Sequence, residues 1–179
     1  MRVISVNVGL PKPIVWNGRF VLSSIFKEPV EGRIAVRRLN LEGDRQADLS
    51  VHGGPDKAVY AYSVEHYSFW RDFLSEVALP PGSFGENLTV EGLMEENVHI
   101  GDCLQIGTAQ LRVTQPRTPC YKLAAKFERT DIVQQFLETG YSGFYLAILR
   151  EGEIGRGDEI QVIASAAQRV SIADLNKRH

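Results

Sequence analysis

The chain has 179 residues, 44% hydrophobic and 23% charged, the balance of a globular protein with room for one substantial core. Its formal net charge of −2 supplies no global field toward nucleic-acid polymers or a membrane surface, and no apolar run is long enough to span a bilayer, so any anion site must be local. Two cysteines are too few for a disulfide scaffold or a four-thiolate zinc site, and the N-terminus lacks a signal-peptide pattern, which predicts a cytoplasmic protein with both thiols free.

Short strand-like segments dominate from the start. "RVISVNV" (residues 2–8) alternates Val3, Ser5 and Asn7 against Ile4, Val6 and Val8. "RFVLSSIF" (19–26), "GRIAVRRL" (32–39) and "KAVYAYS" (57–63) follow. Ser63 is placed to cap a helix over "VEHYSFWRDFLSEV", with Tyr67, Trp70, Phe73, Leu74 and Val77 on one face. "NLTV" (87–90) is a further strand, and "NVHIGDCLQIG" with "AQLRVTQ" reads as a pair turning near Gly107. "PCYKLAAKF" predicts a short helix, and "DIVQQFLET" a second, capped by Thr130 and closed by Gly140. "GFYLAILR" and "DEIQVIA" read as another strand pair joined by the Gly-rich "EGEIGRGD". Eight or nine short strands with frequent turns predict a mainly β protein, a barrel or sandwich with a few peripheral helices. No linker divides residues 1–165, which read as one domain. The tail at 166–179 changes character, and Ser171 is placed to cap a last helix there.

"TQPRTPCYKL" (114–123) sets Cys120 directly after a proline and three residues after Arg117. Thr118 before Pro119 is biased to extended geometry, which suits a helix N-cap, with proline at the first helical position and Cys120 in the first turn. There a helix dipole, Arg117 and Lys122 would favour the thiolate. Such a cysteine serves as nucleophile, redox sensor or metal ligand, or it simply packs. Cys103, in mid-strand without these neighbours, reads as structural.

Two further stretches carry polar chemistry. "LEGDRQADLSVHGGPDKAVYAYS" (41–63) holds Asp44, Asp48, His52, Gly53, Gly54 and Lys57 in a long polar loop. Paired glycines permit close backbone approach to a ligand, yet the stretch lacks the Walker spacing, and a solvated turn is the simpler account. In "PPGSFGENLTVEGL" (80–93) Asn87 could bond a heterocycle or merely form a turn. A Cys120–His52–Asp48 triad lacks a recognisable oxyanion hole, and zinc on His52, His66 and Cys120 matches no standard spacing.

Taken in order, "LEGDRQADLSVHGGPDKAVYAYSVEHYSFW", "FGENLTVEG", "IGDCLQIG" and "QPRTPCYKL" resemble the MOSC domain, and within it the YiiM-type branch linked to resistance against hydroxylaminopurine. The likeness covers residues 1–165. It implies a β-barrel that binds the molybdenum cofactor (molybdopterin). Cys120 would ligate molybdenum, His52 would join it in the reaction, and Asp44, Gly53, Gly54, Lys57, Asn87 and Arg117 would form the cofactor pocket. It also implies reduction of small N-hydroxylated compounds, detoxifying, with electrons from an external partner such as a flavoprotein reductase, and a homodimer. The alternative it leaves is a cofactor carrier or sulfur-transfer protein, since MOSC domains are also associated with pyridoxal-phosphate enzymes. YiiM-type chains continue into a small helical domain, of which "VSIADLNKRH" resembles the beginning.

Overall fold

The structure, a computed structural model, describes residues 1–47 and 53–177. β1 (Arg2–Val8) opens the chain. A bulge between Val3 and Ser5 breaks its alternation, so Val3 and Val6 both reach the main core, while Ser5 and Asn7 are buried as polar residues. One extra residue shifts the parity of the strand, which is why strict two-face alternation does not hold. The Ser5 hydroxyl donates to Asn7 Oδ1 (2.7 Å), and Asn7 Nδ2 donates to Glu86 O (3.2 Å) and Thr89 Oγ1 (3.1 Å).

β2 (Lys12–Trp16) and β3 (Arg19–Ser23) form a separate two-stranded hairpin. Its turn, Asn17-Gly18, is left-handed at both residues (φ 49° and 74°), the type I′ geometry that matches strand twist. The sequence reading places a strand at 19–26 and none at 12–16; Asn-Gly between two apolar runs is the signal for the missing partner. β4 (Glu28–Pro29), β5 (Arg33–Arg37) and β6 (Asn40–Leu41) follow. β7 (Val59–Ser63) is buried along its whole length. After one 3-10 turn comes α1 (Tyr67–Phe73), with Tyr67 and Trp70 buried. Ser63 does not cap it: its hydroxyl donates to the Leu93 carbonyl. The helix ends at Leu74 (φ −112°, ψ 45°), so Val77 lies beyond it and is exposed.

β8 (Leu88–Glu91), β9 (Cys103–Ile106) and β10 (Ala109–Pro116) precede α2 (Tyr121–Phe127) and α3 (Ile132–Thr139). Asp131, not Thr130, adjoins α3, and Gly140 closes it in left-handed geometry (φ 69°). β11 (Phe144–Arg150), β12 (Gly152–Gly155), β13 (Ile160–Ala164) and α4 (Ile172–Asn176) complete the order. Ser171 caps α4 through a capping box with Asp174, and Ile172 is buried.

Eight strands form the main sheet in the order β13-β9-β10-β11-β7-β8-β1-β4. Among the described residues only β7 and β8 pair in parallel, joined across α1. β9 and β10 form the predicted hairpin at Gly107. The second predicted pair is corrected: β11 lies between β10 and β7, while β13 borders β9. Ile154 has its own place in the core, so its segment becomes β12 and pairs with β5 instead of turning. The free half of β1 meets the residues before β13, with Val3 N donating to Asp158 O (2.9 Å) and Ile160 N to Met1 O (3.0 Å). The contact is one isolated bridge, Arg2–Glu159. The sheet thus rolls until its ends touch, without the continuous ladder of a closed barrel.

A second, aromatic core lies beneath α1, α2 and α3. Trp70 stacks on Phe136 (centroids 4.5 Å apart) and donates to the Tyr62 hydroxyl (2.6 Å). No helix among the described residues is long and apolar enough to cross a membrane.

Candidate functional site

A cleft opens beside the aromatic core, with Ile25, Tyr60 and Tyr145 in its lining. It is walled by the residues after β3, the loop after β6, the residues before β8, the turn from β10 into α2, and Tyr145 of β11. Segments far apart in sequence meet here because β7 and β11 are neighbours in the sheet, and Leu123 and Ala124 of α2 share the aromatic core with Tyr60 and Tyr145. Among the described charged residues lining it, Lys27, Lys57, Arg117 and Lys122 are cationic and Asp44 is acidic.

Cys120 lines the cleft and is half-buried. It is itself the N-cap of α2 (φ −131°, ψ 171°), so Pro119 precedes the helix instead of starting it. The Cys120 carbonyl already accepts Leu123 N–H (2.9 Å), while its sulfur makes no capping bond. The thiol therefore stands ahead of a seven-residue helix, beside Arg117 and Lys122, and not inside its first turn.

Arg117 is 7% exposed, and no carboxylate pairs with it among the described residues. Its guanidinium lies over the rings of Tyr60 (4.9 Å) and Phe136 (5.6 Å) and reaches the Tyr60 hydroxyl (3.4 Å). Burial opposes its charge, while the Tyr60 and Tyr145 oxygens and the Cys120 sulfur favour it, and its pKa lies above the ordinary arginine value. Burial pushes the hydroxyls of Tyr60 and Tyr145 above their ordinary range against the pull of Arg117, so both keep their protons near neutrality. Lys122 is also buried and makes no ion pair among the described residues.

Asp44 and Asn87 line the same cleft, with their polar atoms engaged by the protein. Asp44 accepts from Lys27 Nζ (2.5 Å), Gly9 N (2.9 Å) and Asn87 Nδ2 (2.9 Å). Asn87 Oδ1 accepts Tyr60 N–H (3.1 Å) and its amide also donates to Asn7 O (3.3 Å). These two residues shape the wall; Lys27, absent from the sequence reading, completes the buried pair. Gly53 lines the cleft, and Gly54 starts the 3-10 turn Pro55–Lys57. Both have positive φ (95° and 84°). Lys57 sits 5.9 Å from the Tyr145 ring centroid. His52 and Asp48 lie outside the described residues.

His66 is not in the cleft. It bonds Glu95 (2.7 Å) and stacks on Tyr141 (centroids 3.9 Å apart), inside the protein, which removes it from the zinc set. Among the described residues no three His, Cys, Asp or Glu side chains converge on a metal site. One residue that the sequence did not mark is Ser24: it lines the cleft, and its hydroxyl oxygen is buried without a partner.

A model of the MOSC domain matches residues 48–161. The chain belongs to the MOSC domain family. This MOSC protein is 44% identical over 175 residues to YflK of Bacillus subtilis, a match covering 98% of this chain and 79% of that one. It is 31% identical over 183 residues to a protein named reductase from Gibberella moniliformis, covering 98% of this chain but only 31% of the fungal protein. The crystal structure of YiiM from Geobacillus stearothermophilus superposes with a TM-score of 0.81 at 37% identity, over 98% of this chain and 81% of that one. The MOSC model begins after the hairpin, which both sequence relatives nonetheless span in their matches.

Proposed function

We propose that this MOSC protein binds the molybdenum cofactor in the cleft and reduces small N-hydroxylated compounds, hydroxylaminopurine among them, to amines. The observation that carries this is Arg117: a buried guanidinium without a carboxylate among the described residues, beside the free thiol of Cys120. A buried cation left unpaired is costly unless an anion completes it. The residues present fit a thiolate-ligated group with an anionic tail. Cys120 offers a soft ligand, and Arg117, Lys122 and Lys57 offer positive charge. The Gly53 backbone allows close approach, and the orphaned Ser24 hydroxyl offers a further hydrogen bond.

When bound, the cofactor would supply two-electron oxygen-atom transfer. The chain's part is to hold and exclude. Cys120 would fix the metal, and Arg117 would bind negative charge while Tyr60 keeps its plane in place. The Asp44–Lys27–Asn87 group would hold the wall between β1 and β8. The kinship with a protein named reductase supports this reading. A carrier of the cofactor, or of sulfur as a persulfide on the half-exposed Cys120, would use the same cleft but would not turn over substrate.

The test compares wild type with Cys120→Ser and Cys103→Ser after reconstitution, reading bound molybdenum by elemental analysis and turnover with a chemical electron donor. Serine keeps the shape but is a poor soft-metal ligand, so Cys120→Ser should lose both metal and turnover with unchanged melting. Cys103→Ser should match wild type. Equal metal and turnover in Cys120→Ser would refute the assignment; metal retention by wild type without turnover would favour the carrier.

A further inference from the structure

Residues 140–143 form a short strap between α3 and β11, and what fixes Arg117 ends on it. Among the described residues Arg117 has no carboxylate, and two polar contacts set its place. Its N–H donates to Gly143 O (3.3 Å), and its guanidinium reaches the Tyr60 hydroxyl (3.4 Å). That hydroxyl in turn donates to Ser142 O (2.8 Å). Other groups hold the strap from behind, and none of Glu95, Ser142 and Asn176 lines the cleft. Gly143 N–H donates to Glu95 Oε1 (2.8 Å), and the second oxygen of this buried carboxylate bonds His66 (2.7 Å). The Asn176 amide donates to Gly140 O and to Ser142 Oγ (2.9 Å each). The Ser142 hydroxyl passes the contact on, donating to the same Gly143 O that holds Arg117 (2.7 Å). Bonds linked in this way polarise and strengthen one another.

We propose that Asn176 and Glu95 are positioning residues, which set the anion affinity of the cleft through the strap, Arg117 and Tyr60. The inference rests on the reading of the cleft as an anion site. α4 lies on both routes. It carries Asn176, and its Ala173 N–H donates to the Glu95 carbonyl (3.0 Å), so one helix braces the backbone of Glu95 and the strap together. The helix has anchors of its own. Ile172 is buried in the main core with its N–H on Val98 O (2.9 Å), and the Ser171–Asp174 capping box fixes the first turn. The Asn176 amide is therefore not needed to seat α4, and its two bonds serve the strap. Loosening the strap frees the Arg117 backbone and takes the acceptor from the Tyr60 hydroxyl. A guanidinium binds an oxyanion through a planar fork, so it loses affinity when its direction is no longer fixed. The tail that the sequence sets apart at 166–179 is in this way tied to the chemistry of the cleft.

The test titrates molybdate, by calorimetry, into the full chain produced in cells that make no molybdopterin. Asn176→Ala and Asn176→Leu remove the amide, the second while keeping its volume. Both should bind molybdate at least about threefold more weakly than wild type. Glu95→Ala should do the same, and Glu95→Gln, which keeps an acceptor for Gly143 N–H, should restore affinity to within about twofold of wild type. In the Arg117→Ala background, where the cleft lysines still draw the anion, adding Asn176→Ala should cause no further loss. Amide hydrogen exchange at Arg117 and Gly143 should quicken in Asn176→Ala and stay unchanged along β9. The proposal is overturned if Asn176→Ala matches wild type in affinity, or if Asn176→Leu restores it. It is equally overturned if exchange at Arg117 stays as slow as in wild type, or if the loss is as large without the Arg117 side chain. Equal affinity in wild type and Arg117→Ala would defeat the anion reading of the cleft and this proposal with it. Arg117→Ala tells the two failures apart, since it weakens binding when only the positioning is wrong.

Discussion

Lys27 and Asp44 form a buried ion pair at the cleft wall, their side chains 7% and 1% exposed. Removing one partner strands the other in a dry site, which costs about 3 kcal/mol or more, whereas removing both costs less than the sum. Lys27→Met should therefore destabilise strongly in urea unfolding, and Lys27→Met/Asp44→Asn should recover part of the loss. Additive losses would show that the pair is not coupled. Lys126 differs because no carboxylate among the described residues pairs with it. It donates to Ile25 O (3.1 Å) and Gly82 O (3.4 Å) and lies 5.2 Å from the Phe26 ring centroid. Burial, reinforced by Arg117 and Lys27 and opposed by Glu86, lowers its pKa from 10.5 to about 8. Between these values the unfolded chain holds the proton and the folded chain does not, so folding becomes more favourable as pH rises through this window. Relative to Lys126→Met, wild type should gain about 3 kcal/mol between pH 7 and about pH 11. A pH-independent difference between the two proteins would contradict this.

At the level of elements, the approach to β11 controls the cleft through one glycine. Gly143 has φ 62°, and a Cβ there would lie 2.4 Å from Ala61 O and 2.8 Å from the Tyr60 ring. The carbonyl of the same residue accepts Arg117 N–H (3.3 Å). Gly143→Ala combines backbone strain with overlap against β7 and should cost about 3 kcal/mol. Because β7 and Arg117 would shift together, it should also weaken oxyanion binding in the cleft, read by titration of molybdate. Unchanged affinity would mean that the cleft does not depend on this contact. Gly18 is a useful contrast: its φ is 74°, yet a Cβ there meets nothing within 4 Å, so alanine at that turn carries backbone strain alone.

For the molecule as a whole, much of the β architecture was legible because short alternating runs and glycine turns are local signals. The β9–β10 pair and Gly140 as a helix terminator came directly from such signals. The assignment of "GFYLAILR" and "DEIQVIA" to one pair failed because partner choice is non-local: only the packing of Ile154 shows that the intervening residues form a strand. Cys120, Arg117, Gly53 and Lys57 meeting in one cleft was legible through their ordered motifs. The roles of Lys27 and Ser24 were not, since an isolated lysine or serine has no distinguishing neighbour in sequence. Nor did sequence show that Asp44 and Asn87 spend their hydrogen bonds on each other (2.9 Å). The cleft draws on five separated segments, so partial unfolding cannot preserve it. Loss of molybdate binding in urea should coincide with loss of the Trp70 fluorescence signal; binding that disappears well before it would reveal a locally labile cleft.

β1 finds an early partner only at its end, where Asn7 and Val8 meet β4, while its other neighbours, Leu88–Glu91 and the residues around Glu159, are synthesised much later. At roughly 5–20 residues per second, it waits several seconds for the first of these and longer for the second. Throughout that interval Val3 and Val6 lack most of the core residues they are buried against. Loading of any prosthetic group must then be a post-translational event, and nascent-chain chaperones have a defined segment to protect.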